Sequence, residues 1–129
     1  MPSGQPSTSP VLQHTFKAAG NLAAYQYMFV IFSAENTVNC ASAITDIALG
    51  ILQDKPNAAS ESCNIMMKGI SLLKITDTIT RGGPISCETD ATGIPAANNG
   101  PICAIALQSG VTGDIIPVLL TPGAYLSSS

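Results

Sequence analysis

Charge is what this chain has least of. Of its 129 residues only 10% are charged, against about 25% in an ordinary soluble domain. A monomer bathed in water keeps both signs of charge on its surface, whereas a subunit packed among neighbours can present Ala, Ser, Thr and Asn to them. The scarcity predicts a component of an assembly. The basic residues Lys17, Lys55, Lys68, Lys74 and Arg81 are scattered and the net charge is −3, so no cluster could neutralise a run of phosphates and direct nucleic-acid binding is not expected. Long apolar runs are missing too. Runs such as Met28–Phe32 are far short of the roughly 20 residues that span a bilayer. The opening residues Met1-Pro2-Ser3-Gly4-Gln5-Pro6-Ser7 have neither a basic start nor an apolar core, which predicts no secretory signal and a protein made and kept in the cytosol.

The materials of catalysis are equally thin. His14 is the sole histidine, and it follows a proline-rich stretch that could not hold it against a nucleophile within the tolerance of a near-attack pose. The Gly82-Gly83-Pro84 corner lacks the Lys-Ser or Lys-Thr that completes a phosphate loop. Glu88-x-Asp90-x-Thr92-Gly93 has the spacing that opens a calcium loop, but its twelfth position is Asn99 instead of a bidentate Glu, so a hairpin turn explains it better. Cys40, Cys63, Cys87 and Cys103 form no Cys-x-x-Cys pair. In a reducing cytosol they are expected to be buried thiols, with a disulfide requiring later exposure to air. No catalytic residue, metal site or cofactor is therefore expected, and the chain is not read as an enzyme.

What the chain does contain is a pattern stated twice. Ala48-Leu49-Gly50-Ile51-Leu52-Gln53 leads through a loop to Glu61 and the stretch Ser62-Cys63-Asn64-Ile65-Met66-Met67, and Ala104-Ile105-Ala106-Leu107-Gln108 leads through a shorter loop to Asp114 and Ile115-Ile116-Pro117-Val118-Leu119-Leu120. With a two-residue gap Glu61 falls on Asp114, Met66-Met67 on Leu119-Leu120, and Leu52-Gln53 on Leu107-Gln108. Each copy predicts a β-hairpin, so the fold is built from duplicated strand pairs.

The remaining segments agree. Tyr25 to Phe32 is crowded with aromatic and β-branched residues and predicts a core strand covered on both faces. Glu35-Asn36 is a turn before a returning strand, Thr37 to Ala41. Ser42 to Asp46 is taken as a loop. Gly69 to Ile75 and Ile85 to Glu88 predict further strands, and Asp90 to Gly93 a tight turn with Gly93 at positive φ. Asn98-Asn99-Gly100-Pro101 is a second turn. Pro117 cannot donate to a ladder, so its strand is an edge or that position faces away from its neighbour. Short strands with turns every ten or so residues predict an all-β domain, a small antiparallel barrel or sandwich with a duplicated hairpin and an extended N-terminal arm. The expected divisions are an arm over 1–20, the β domain over 21–126 and a tail over 127–129.

Several of these segments, in order, resemble the small decoration or cement proteins of tailed-bacteriophage capsids: Gln26-Tyr27-Met28-Phe29-Val30, Ala41-Ser42-Ala43-Ile44-Thr45-Asp46, Gly50 to Pro56, Gly69-Ile70-Ser71, Asp90-Ala91-Thr92-Gly93 and Ala104-Ile105-Ala106-Leu107. The resemblance covers roughly residues 22 to 123. It implies a non-enzymatic virion protein on the outer capsid surface, commonly a homotrimer. Its partner would be the major capsid protein, with other decoration proteins as neighbours and head stabilisation as the role. The arm is the segment expected to reach a partner, through Pro2, Pro6, Pro10, Val11, Leu12 and Phe16. The competing reading is a virion-surface β-barrel module for a host surface or glycan. Against it, there is no Trp, and Tyr25 and Tyr27 fall in the predicted core strand, leaving Tyr125.

Overall fold

The duplication visible in one hairpin runs through the whole chain. The structure, a computed structural model, describes residues 12–43, 46, 48–96 and 101–125. The first set of strands is β1 (Leu12–Ala18), β2 (Phe29–Ala34), β3 (Thr37–Cys40), β4 (Gly50–Leu52) and β5 (Ser62–Lys68). The second is β6 (Ile70–Lys74), β7 (Pro84–Cys87), β8 (Gly93–Pro95), β9 (Pro101–Ala106) and β10 (Ile115–Tyr125). The first set closes into a barrel in the order β1-β3-β2-β4-β5, and the second forms a sheet in the order β6-β10-β9-β7-β8. These are one topology. In each set the second and third strands form a hairpin, the fourth pairs with the second, the fifth with the fourth, and the first returns antiparallel to the fifth. The barrel closes through parallel pairing of Ala18 with Val38, and the second set carries a parallel bridge at the equivalent place, Ile75 with Gly93. The all-β expectation holds, and the one helical element among the described residues is the short 3-10 turn Ala23–Tyr25.

Hydrogen bonds in the loops match pair for pair. Ala18 N donates to Glu61 O (2.9 Å) and Ser60 N to Ala18 O (2.8 Å), just as Ile75 N donates to Asp114 O (3.0 Å) and Gly113 N to Ile75 O (2.8 Å). The left-handed positions coincide as well: Ser60 (φ 68°) with Gly113 (φ 94°), and Asn36 (φ 56°) with Ala91 (φ 73°). The repeated acid has a physical task. Glu61 Oε1 accepts from Asn57 N (2.8 Å) and Asp114 Oδ2 accepts from Val111 N (2.9 Å), so each carboxylate ties down the loop of its own hairpin. Glu61→Ala and Asp114→Ala are each expected to cost about 1 kcal/mol, seen in thermal melts as a fall of roughly 3–5 °C.

Two buried clusters fill the molecule. One lies inside the barrel and is built on Phe16, Leu22, Val30, Val38, Leu52 and Ile65. The other joins the second sheet's Leu73, Ile75, Ile85, Ile116 and Val118 to Met28, Phe29 and Ile51 of the first set. Successive residues of β2 and β4 therefore face different interiors: Phe29 and Ile51 point to the joint cluster, Val30 and Leu52 into the barrel. Coverage on both faces, expected from Tyr25 to Phe32, is confined to Phe29 and Val30. Tyr25 ends the 3-10 turn, Tyr27 sits at φ 64°, and Phe32 is 54% exposed.

Two other expectations are corrected, and the choice left open at Pro117 is resolved. Gly93 is not the left-handed residue of its turn; Ala91 is. Gly93 is needed for space, since a Cβ there would lie 2.7 Å from Leu73 Cδ2 and 2.9 Å from Ile85 Cγ2. The hairpins align one residue differently from their side chains, because Leu52 pairs with Ile65 as Ala106 pairs with Val118. Leu52 thus corresponds to buried Ala106, not to Leu107, which is 39% exposed; a ladder matches inwardness before identity. Pro117 lies on a strand between two neighbours, where its carbonyl accepts from Leu107 N (3.0 Å) at the end of β9.

Part of the expected arm is barrel. Residues Leu12–Ala18 form β1, paired along β5 from Leu12 opposite Lys68 to Lys17 opposite Ser62. The turn expected at Asn98–Gly100 lies outside the described residues.

Candidate functional site

Because the repeats share a register, each outward position on one can be compared with its counterpart on the other. On the barrel, β1 and β5 present Gln13 beside Met66, Thr15 beside Asn64 and Lys17 beside Ser62. That face is polar, and Thr15 Oγ1 donates to Asn64 Oδ1 (2.8 Å). The equivalent pairs on β6 and β10 are Ile70 beside Leu119, Leu72 beside Pro117 and Lys74 beside Ile115. Every pair but one is wholly apolar. Ile70 is 59% exposed, Ile115 48%, Leu72 41% and Leu119 40%. Leu107 and half-buried Ile105 extend the patch onto β9. A contiguous apolar face across three strands marks an interaction surface more often than open solvent. The polar barrel face acts as an internal control: the same backbone, where water covers it, carries hydroxyls, amides and a lysine.

The sequence carries a signal for this face. Ser62-Cys63-Asn64-Ile65 alternates polar and apolar, as a half-covered strand should, whereas Ile115-Ile116-Pro117-Val118-Leu119-Leu120 is apolar at both parities. A strand of that kind is covered on both faces. Within the chain only one face of β10 is.

Among the candidate arm residues, Pro2, Pro6, Pro10 and Val11 lie outside the described residues, and Leu12 is the first residue of β1. Phe16 is a core residue, 7% exposed, standing edge-on to Phe32 with ring centroids 5.4 Å apart. It roots the chain in the barrel and is not free to contact a partner.

The chemistry-bearing groups are not gathered around a cleft. His14 is exposed on β1 beside Phe16. Asp90 is spent on its own turn, where Oδ1 accepts from both Thr92 N and Thr92 Oγ1. A depression lined by Thr78, Ile79, Thr80, Gly83, Pro84, Pro95 and Ala96 has a volume of about 160 Å³, below the roughly 300 Å³ at which ligand pockets begin. Cys87 and Cys103 are buried with their Sγ atoms 3.6 Å apart. No group of three or more His, Cys, Asp or Glu residues stands close enough to hold a metal ion among the described residues.

Fold and surface together define a class: a small all-β chain of two like units, one of which turns an apolar sheet face outward. No protein-family profile matches the sequence, and no curated protein does. Among solved structures the fold is similar to the head fiber gp8.5 N base of bacteriophage phi29, with a TM-score of 0.64 and 13% identity, covering 86% of this chain and 94% of that one. At that identity the likeness is one of fold.

Proposed function

We propose that this protein is a structural component of a bacteriophage head, attached to the outer surface of the assembled capsid and stabilising it by bridging major capsid protein subunits. The observation that carries this is the apolar face of β6, β10 and β9, on a chain whose fold is similar to a phage head fiber base and whose charge content suits an assembly. A protein that binds the assembled shell better than its free subunits stabilises the shell by mass action and needs no active site. A homotrimer at a local threefold axis suits this role, since each protomer adds contacts at high effective concentration once one is seated. The arm, from about Pro2 to Leu12, is the segment proposed to reach a neighbouring subunit, starting from the edge of the barrel where Leu12 pairs with Lys68.

The test uses heads of the encoding phage prepared without this protein. Mixed with purified protein and pelleted, they should bind it saturably, and the shell's melting temperature should rise. Failure to bind expanded, mature shells would overturn the proposal and turn the search to glycan or host-surface ligands. Deleting residues 1–11, all of which precede β1, should weaken binding while leaving the protein's own melt unchanged.

A further inference from the structure

The interior of the second unit holds a pair of thiols that its fold does not require. Cys87 ends β7 and Cys103 lies on β9, its hydrogen-bonded neighbour. The ladder pairs Pro84 with Ile105 and Ile85 with Ala104, so continuing it places Cys103 opposite Ser86, one position from Cys87. Strict alternation would turn Cys103 to the other face. It is instead buried next to buried Ala104, and the neighbouring β10 ladder shifts register between Leu120 and Ala124. Irregularities of this sort re-aim a side chain, and here the result is a Sγ–Sγ distance of 3.6 Å between residues 16 apart in sequence.

We propose that Cys87 and Cys103 form an oxidation site that closes to an intramolecular disulfide when the protein meets a peroxide. The Cys103 thiolate attacks one oxygen of hydrogen peroxide, the O–O bond breaks, and with one proton taken up this gives Cys103 sulfenic acid and water. The Cys87 sulfur then attacks the sulfenic sulfur, the S–OH bond breaks, and hydroxide leaves as a second water with the proton Cys87 gives up. Two thiols and one peroxide become one disulfide and two waters. The order of roles follows from the surroundings. Either sulfur can donate across the 3.6 Å contact; with Cys87 as donor, that bond and then burial push its thiol up. Cys103 Sγ also lies 3.8 Å from Asp46 O, to which its thiol can donate, and as acceptor of the bond from Cys87 its thiol is lowered to about 7. The thiolate is the species that reacts. A disulfide sulfur pair is about 2.05 Å apart, so the two side chains must close by about 1.5 Å, within reach of a small change in χ1. Peroxide is close to water in size and reaches the pair through local opening of the sheet.

The experiment needs only the full-length protein, purified under reductant, desalted, treated with hydrogen peroxide, denatured and alkylated with N-ethylmaleimide. Unoxidised protein carries one adduct on each of its four cysteines. Closure of the pair removes two adducts and about 2 Da. Cleavage after Glu88 separates Cys87 from Cys103, so the fragments should stay joined until reduced. The oxidised protein should melt roughly 10 °C higher, because the bridge constrains the unfolded chain. In Cys87→Ser the sulfenic acid at Cys103 has no partner and should be trapped by dimedone. Full alkylation after peroxide, a bridge involving Cys40 or Cys63, or +32 Da at Cys103 with no linkage would each overturn the proposal.

Discussion

Ile70→Asp is expected to lower the amount of protein that pellets with capsid heads by about tenfold or more, without moving the protein's own melting temperature. Ile70 is more than half exposed, so a carboxylate there stays solvated in the free protein and costs the fold little. Once the face is covered, the carboxylate must be desolvated without a partner, and each 1.4 kcal/mol of that penalty is about a factor of ten in affinity. The duplication supplies a matched control. Gln13 occupies the equivalent position on the barrel, and Gln13→Asp, with the same new charge in the same ladder position, should pellet like the wild type. Equal loss in both variants would indicate a general charge effect and would remove the face from the proposal.

The second large effect concerns stability. Gly50→Ala is expected to destabilise the protein by about 3 kcal/mol or more and to lower its melting temperature by roughly 10 °C. Gly50 begins β4, which runs between β2 and β5. A Cβ there would lie 2.9 Å from Ile65 Cγ2 and closer still to Met66 O. The carbonyl is backbone in the paired strand and cannot swing aside, so the β4–β5 ladder itself must move. Gly20→Ala meets nothing within 4 Å and should be neutral, separating the steric effect from the loss of glycine as such. A Gly50→Ala melt within 2–3 °C of wild type, about 1 kcal/mol or less, would show that the barrel wall yields more easily than the contact implies.

Much of this fold was legible from residue pattern, and the exceptions have physical causes. Glu61 and Asp114 announced a repeated hairpin because both carboxylates perform the same backbone task. The remaining repeat was hidden, since a ladder constrains inwardness and turn geometry more than identity: Val38 and Gly93, or Phe16 and Leu73, occupy equivalent places with little chemistry in common. Tyr25 and Tyr27 suggested an extended strand through β-propensity alone, which context overrides readily; here the chain turns through a 3-10 segment first. That this apolar face is exposed is not legible from sequence, because an all-apolar strand and a core strand look alike there. Only the polar copy of the same ladder distinguishes them. Composition groups Phe16 with the arm, but its side chain belongs to the barrel interior.

In most tandem-repeat proteins each unit touches its neighbour across a repeating seam, and stability is close to a sum over units and seams. Here Phe29, Met28 and Ile51 leave the first unit's strands to complete the second unit's interior. A cut at Gly69, between β5 and β6, would therefore leave the barrel its own cluster but uncover Met28, Phe29 and Ile51 on it, and would leave the second fragment without the residues that complete its interior. The second half is therefore expected to melt together with the barrel, and an ancestor made of one such unit would have gained from a second copy that covered Phe29 and Ile51.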